Sequence, residues 1–161
     1  KTGHTRAAGW SQAAAATRGG VTVYGTVLGS DTREARNDAL RDLLSFGLGQ
    51  YRRVQAIDAG RVYATAETGY GQPDVELVAP RSMVRTLRNG TSLVERIVAP
   101  ASLGLPVEQG ARLGRVEVYA GNRLVASSNL VAAEEVADAG LLAKVRWYFT
   151  RTATNMWEIV S

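Results

Sequence analysis

The feature that most constrains the fold is a change of hydrophobic period near residue 50. Before it, Ala39, Leu40, Leu43, Leu44 and Phe46 recur at helical spacing, which predicts a helix over residues 32–48. Asp31-Thr32-Arg33-Glu34 reads as a capping box with Asp31 at the N-cap, and Gly47 and Gly49 supply the stop. After Tyr51, short segments rich in β-branched residues alternate with polar ones and are cut by Gly or Pro: 52–57, 61–66, 75–78, 82–87, 94–98, 112–120 and 124–131. Turn signals at that interval predict a small all-β, sandwich-like domain. Val116, Val118 and Ala120 alternate up to Gly121-Asn122, a hairpin signal. A domain boundary is expected near residue 50.

Ahead of the helix, Gly9 to Thr17 and Val21 to Leu28 are small and apolar and are joined by Arg18-Gly19-Gly20. The pair reads as a β-hairpin, because two glycines admit the positive φ of a tight turn. The run Ala13 to Ala16 has helical propensity, but its flanking Gly9-Trp10 and the Gly-Gly turn favour a strand. At the other end, Leu142, Val145, Phe149, Ala153, Met156 and Val160 fall on one helical stripe flanked by Trp147, Tyr148 and Trp157, with Lys144, Arg146 and Arg151 nearby. Residues 138–161 are therefore expected to form an amphipathic helical tail. It suits a membrane interface and equally suits packing on another domain or molecule.

Composition removes several kinds of chemistry. The 161 residues include no cysteine, so disulfides, Cys-zinc sites and thiol nucleophiles are excluded. His4 is the sole histidine, which rules out a Ser-His-Asp triad or a His-based metal site within the chain. No metal or cofactor is expected. The net charge of +4 is dispersed, with no basic block, and reads as a solvated surface with at most mild attraction to anionic lipid or wall polymer, not as a nucleic-acid footprint. No apolar run is long enough to span a bilayer. The sequence has no initiator Met and no signal peptide, and reads as the later part of a longer protein.

Positive charge is written with two lysines against seventeen arginines, and one of those lysines opens Lys1-Thr2-Gly3-His4-Thr5. An ammonium is compact and rotatable, and it can sit beside a serine and a carboxylate in a way the planar guanidinium fork cannot. K-T-G is also the third signature of serine enzymes that process D-Ala-D-Ala peptides and β-lactams. Four residues after this segment's end come Gly9-Trp10 and the hairpin, then Gly29-Ser30-Asp31-Thr32, then Arg36 entering a helix that ends Leu44-Ser45-Phe46-Gly47. Leu113-Gly114-Arg115-Val116-Glu117-Val118-Tyr119 and Leu130-Val131-Ala132 follow. In order and spacing these stretches resemble the C-terminal portion of a serine-type D-Ala-D-Ala carboxypeptidase, a low-molecular-mass penicillin-binding protein. The likeness covers almost the whole chain and weakens after Leu142. Class A β-lactamases share K-T-G but lack such a β-rich tail.

The resemblance implies an α+β architecture. Residues 1–50 would be the last strands and helix of a penicillin-binding/β-lactamase-like α/β domain, residues 51–137 a β-rich domain, and residues 138–161 the helical tail. It implies acyl transfer through a serine acyl-enzyme, with peptidoglycan stem peptides ending in D-Ala-D-Ala as substrate, β-lactams as acylating ligands, and an extracytoplasmic location at the outer face of the cytoplasmic membrane. Of the two readings left open for the tail, the membrane one would make Ala139 to Ser161 a contact with that surface. Carried over by motif, Lys1 would lie near the nucleophile and tune proton transfer. Thr2 would offer its hydroxyl to the substrate carboxylate, Gly3 would leave room for the ligand, and the His4 backbone N–H would serve the oxyanion hole. Arg36 would grip the terminal carboxylate, with Arg33 as the competing candidate.

The family's other two motifs are S-x-x-K and S-x-N. No S-x-x-K occurs, and Ser127-Ser128-Asn129 fits S-x-N by letters only, in a predicted strand of the second domain. The nucleophile is therefore expected outside this chain, in the N-terminal part of the same protein, and this chain alone is expected to be inactive. The alternatives are a non-catalytic, β-rich docking or membrane-proximal module of a cell-wall protein, and a β-lactam-sensing or β-lactamase relative.

Overall fold

The computed structural model describes residues 1–140 and Trp147. The element order is β1 (Thr2–Thr5), β2 (Gly9–Arg18), β3 (Val21–Ser30), α1 (Arg33–Gly49), β4 (Tyr51–Ile57), β5 (Val62–Thr68), β6 (Val75–Val78), β7 (Met83–Arg88), β8 (Leu93–Val98), β9 (Ser102–Leu103), β10 (Arg112–Ala120) and β11 (Arg123–Ala132). The chain is mostly β-sheet with one helix among the described residues. Each predicted strand from residue 51 onward is present to within two residues at either end, and β9 is an addition. The expected tail helix lies outside the described residues except for Asp138, Ala139, Gly140 and Trp147. None of the described helices is long and apolar enough to cross a membrane.

Two compact units result, and neither is contiguous in sequence. One comprises Lys1–Val54 and Val84–Thr91, the other Gln55–Met83 and the chain from Ser92 onward. β4 and β7 pair as a two-stranded sheet, and each of these strands runs through the division.

In the first unit an antiparallel sheet has the order β1-β2-β3. Gly19 and Gly20 turn between β2 and β3 at φ 59° and 81°, the positive values that a tight hairpin needs. Helix α1 lies on one face of this sheet, where Ala14 pairs with Gly25. A side chain at Gly25 would begin 3.1 Å from Leu40 and Leu44, so the missing Cβ is what lets the leucine row sit close to β3. Gly47, expected as a stop, lies inside the helix against Val23. The N-cap is Thr32, not Asp31: its Oγ1 accepts from Ala35 N at 3.1 Å. β3 continues to Ser30, which leaves Asp31 to complete the turn and puts the Thr32 hydroxyl three residues ahead of that amide. At the other end Asn89 Nδ2 donates to Gly49 O at 2.8 Å, and Asn89 N donates to Gln50 O at 2.8 Å. These bonds satisfy carbonyls that a helix end leaves open.

The second unit is built on a six-stranded sheet, order β8-β10-β11-β6-β5-β9. Along β10, Val116 and Val118 point inward opposite Ser128 and Ala126, while Arg115 and Glu117 point outward opposite Asn129 and Ser127. Ile57, Val75, Leu77, Val116, Val118 and Leu130 are the largest fully buried side chains. Ala56 and Ile57 at the end of β4 belong to this same core, with Met83 packed against it. Ser127-Ser128-Asn129 lies in the regular middle of β11, as expected of a chance match.

Candidate active site

The K-T-G residues begin the first unit. Lys1 N donates to Ala13 O and Ala13 N donates back to Lys1 O, both at 2.9 Å. The ladder continues with Thr2 opposite Gln12, Gly3 opposite Ser11 and His4 opposite Trp10. Because side chains alternate along a strand, the site residues divide between two faces. Thr2 and His4 share the face that carries α1, together with Trp10 and Gln12. Lys1 and Gly3 share the other face with Ser11, Ala13, Thr26 and Leu28, and these six residues line most of a shallow groove of about 320 Å³. Every residue of β1 is exposed. β1 is an edge strand, and its outer side is unpaired among the described residues.

Gly3 has open space on its side-chain side: a Cβ there would meet nothing within 4 Å. Gly9 is the opposite case. It has φ 67°, and a Cβ would stand 2.9 Å from Ser30 O, so only glycine lets the start of β2 lie against the end of β3. Thr5 Oγ1 accepts from Ala8 N at 2.9 Å and closes the turn between β1 and β2.

On the helix face three side chains come together. The His4 and Trp10 rings stack with centroids 4.1 Å apart and planes 28° apart. Arg36 places its guanidinium carbon 5.6 Å from the Trp10 ring centre, within the range of a cation–π contact. Arg36 is only 4% exposed, and both Nε (3.3 Å) and Nη2 (2.8 Å) donate to Asn37 Oδ1. No carboxylate pairs with it among the described residues. Arg33, in the first turn of α1, is exposed. The structure thus gathers Lys1 to His4 on one strand and brings Arg36 to His4 through Trp10. The sequence reading did not give Trp10 a place in the site. Gly9-Trp10 marked it, but the pairing that sets it beside His4 depends on register. Among the described residues no group of three or more His, Cys, Asp or Glu could hold a metal ion.

Residues 51–138 match the family described as Penicillin-binding protein 5, C-terminal domain. The chain belongs to that family. Among its curated relatives is the D-alanyl-D-alanine carboxypeptidase DacD of Escherichia coli, 26% identical over 162 residues that cover 95% of this chain and 40% of the relative. The D-alanyl-D-alanine carboxypeptidase DacA of Haemophilus influenzae is 27% identical over 163 residues, covering 98% of this chain and 42% of the relative. A solved penicillin binding protein 5 from Haemophilus influenzae superposes with a TM-score of 0.49 and 26% identity, covering 86% of this chain and 42% of that one. The chain therefore spans about two fifths of the length of these curated relatives. The match to the curated carboxypeptidases extends beyond the family domain into the K-T-G unit.

Proposed function

We propose that this chain is the later part of a serine-type D-alanyl-D-alanine carboxypeptidase, and that residues 1–50 complete one wall of its catalytic domain. The reading rests on the exposed edge strand that follows Lys1 and carries Thr2 and Gly3, with open space where a Gly3 side chain would stand and an outer side unpaired among the described residues. An extended peptide can add to such an edge by main-chain hydrogen bonds, and a side chain at Gly3 would hold it away. The attacking serine belongs to the N-terminal part of the same protein. That part would cover the groove that Lys1 shares with Leu28, on a sheet face where Leu28 is 75% exposed and Tyr24 83%. The reaction proceeds through an acyl-enzyme, formed with peptidoglycan stem peptides or with β-lactams, outside the cytoplasm at the membrane's outer face. Residues 51–137 supply the appended β-rich domain, apart from 51–54 and 84–91, which group with the first unit, and Ala139 to Ser161 the membrane contact.

Lys1 assists proton transfer at the serine, Thr2 hydrogen-bonds the substrate carboxylate, and the His4 N–H is an oxyanion donor, a kind of group whose loss costs about 3–4 kcal/mol of transition-state stabilisation. The resemblance gives the terminal carboxylate to Arg36. A second reading is favoured by the 4% exposure of Arg36, which leaves a ligand no approach. In it the exposed Arg33 grips the carboxylate and Arg36 supports Trp10. The test of the function is acylation of the full-length protein by a labelled penicillin. Wild type is expected to label, and Lys1→Ala is expected to lose labelling while keeping its fold. Undiminished labelling of Lys1→Ala would refute the assignment.

A further inference from the structure

We propose that Trp10 is a positioning residue for the oxyanion-hole donor at His4, acting as the middle layer of a stack that ties the K-T-G strand to helix α1. The proposal rests on the carboxypeptidase reading above.

β1 is four residues long, exposed throughout, and paired on one side only among the described residues. Main-chain ladder bonds fix its spacing from β2 but constrain its twist weakly, since a short edge strand can pivot about them. The direction of the His4 N–H depends on that twist. The His4 ring is the side chain through which β1 grips the helix face, and it stacks on the residue directly opposite it, at 4.1 Å.

Trp10 is in turn held from three directions. Gly9 before it lies in tight main-chain contact with Gly29 and Ser30. Trp10 pairs with Ser30, and the register shift immediately beyond it turns the strand at that point. Arg36 lies over its ring, and the buried guanidinium is steadied by Asn37. A guanidinium with no carboxylate partner is stabilised by the face of an indole, which accounts for the burial of this charge so early in the helix. The order of support runs from α1 through Arg36 and Trp10 to the His4 ring, and from there to the His4 backbone. Trp10 touches no reacting atom in this scheme. Its effect falls on alignment of the transition state, because displacement of a catalytic group by about 1 Å can cost on the order of a hundredfold in rate.

The experiment uses the full-length protein with a D-Ala-D-Ala peptide. Trp10→Leu is expected to lower kcat about tenfold or more, with KM within about twofold of wild type, and Trp10→Phe, which keeps a ring to stack, to recover most of the loss. In wild type the His4 ring protons should be displaced upfield in the NMR spectrum by the indole, and in folded Trp10→Leu they should return to ordinary positions. If Trp10→Leu does not fold, Arg36→Met takes its place and is expected to lower kcat at unchanged KM, with an equal loss on a substrate whose terminal carboxylate is an amide, which loss of a carboxylate-gripping residue would not give. An unchanged kcat in a folded Trp10→Leu or Arg36→Met protein would overturn the proposal. So would equal loss in the Leu and Phe variants, or the absence of a ring-current shift on His4. Failure of the carboxypeptidase reading shows differently: wild type would not be acylated, or Lys1→Ala would be acylated normally.

Discussion

The phenol of Tyr119 donates a 2.9 Å hydrogen bond to Glu117 Oε2, two residues back on β10. The two side chains share the outward row of that strand, and Arg115 reaches the other oxygen of the same carboxylate at 3.2 Å. The bond to Glu117, with some desolvation and the carboxylate's charge, raises the Tyr119 pKa above its ordinary value, against a smaller opposing pull from Arg96.

An acid whose pKa is higher in the folded than in the unfolded state stabilises the fold while it stays protonated. The contribution of Tyr119 is therefore complete below the ordinary tyrosine pKa near 10 and is lost as pH rises through the raised value. Ionisation followed by NMR at Tyr119 should come later than for an unperturbed tyrosine, and Glu117→Gln should bring it earlier. An unchanged titration in Glu117→Gln would refute the role of this bond.

Gly114 faces the main chain of the neighbouring strand's end, where a Cβ would stand 2.7 Å from Val98 O and 3.2 Å from the Ala99 Cβ. Backbone cannot swing aside as a flexible side chain can. Gly114→Ala should destabilise the second unit by about 1–3 kcal/mol, read as a lowered midpoint in urea. Gly121 is a useful contrast, with φ 59° and open space around it. Gly121→Asn should cost much less, since asparagine tolerates that backbone region.

Thr32 and Asp31 offer two candidate caps, and the hydroxyl of Thr32 holds the Ala35 amide. Thr32→Ala should cost about 1 kcal/mol, and Asp31→Ala clearly less. Chemical denaturation of the two variants checks the order, and a larger loss from Asp31→Ala would reverse the assignment.

Arg33 and Arg36, both in the first turns of α1, should separate functionally. With a D-Ala-D-Ala peptide, Arg33→Gln is expected to lower kcat/KM by about 10–100-fold, the worth of a charge-assisted hydrogen-bonded pair, and to leave the melting temperature near wild type. The effect should vanish with a substrate whose terminal carboxylate is an amide. Arg36→Gln is expected to lower the melting temperature, because it strips the cation from the Trp10 face. If Arg36→Gln alone shows carboxylate-dependent loss, Arg36 is the reader.

Much of this was legible in the sequence because it is local. Leucines three and four apart announced α1, Gly-Gly announced the β2–β3 turn, and Val116, Val118 and Ala120 announced the inward row of β10. The cap was misplaced by one residue because Asp31 and Thr32 are both good caps, and only the point where β3 stops decides between them. Gly47 looked like a stop, but its lack of a side chain serves contact between α1 and Val23 of β3. At the site, the motif named Lys1, Thr2, Gly3 and His4. The stack of Trp10 with His4 and Arg36 stayed hidden because it joins residues from β1, β2 and α1 through strand register. Arg36 was legible as an arginine entering the helix, but its burial could not be read from spacing.

The route of the chain through β4 and β7 bears on how the protein can be dissected. The family match begins at Tyr51, which invites cutting there to obtain the β-rich portion alone. Yet Val84–Thr91 is grouped with the residues before that cut, with Thr86 Oγ1 donating to Gly19 O at 2.6 Å and Asn89 bonded to Gly49 and Gln50. A fragment starting at Tyr51 would keep the pairing of that arm with β4 but would strip Thr86 and Asn89 of their partners at Gly19, Gly49 and Gln50, leaving one end of the arm without its seat. Severing the polypeptide at this point would not free a module; it would leave a torn edge.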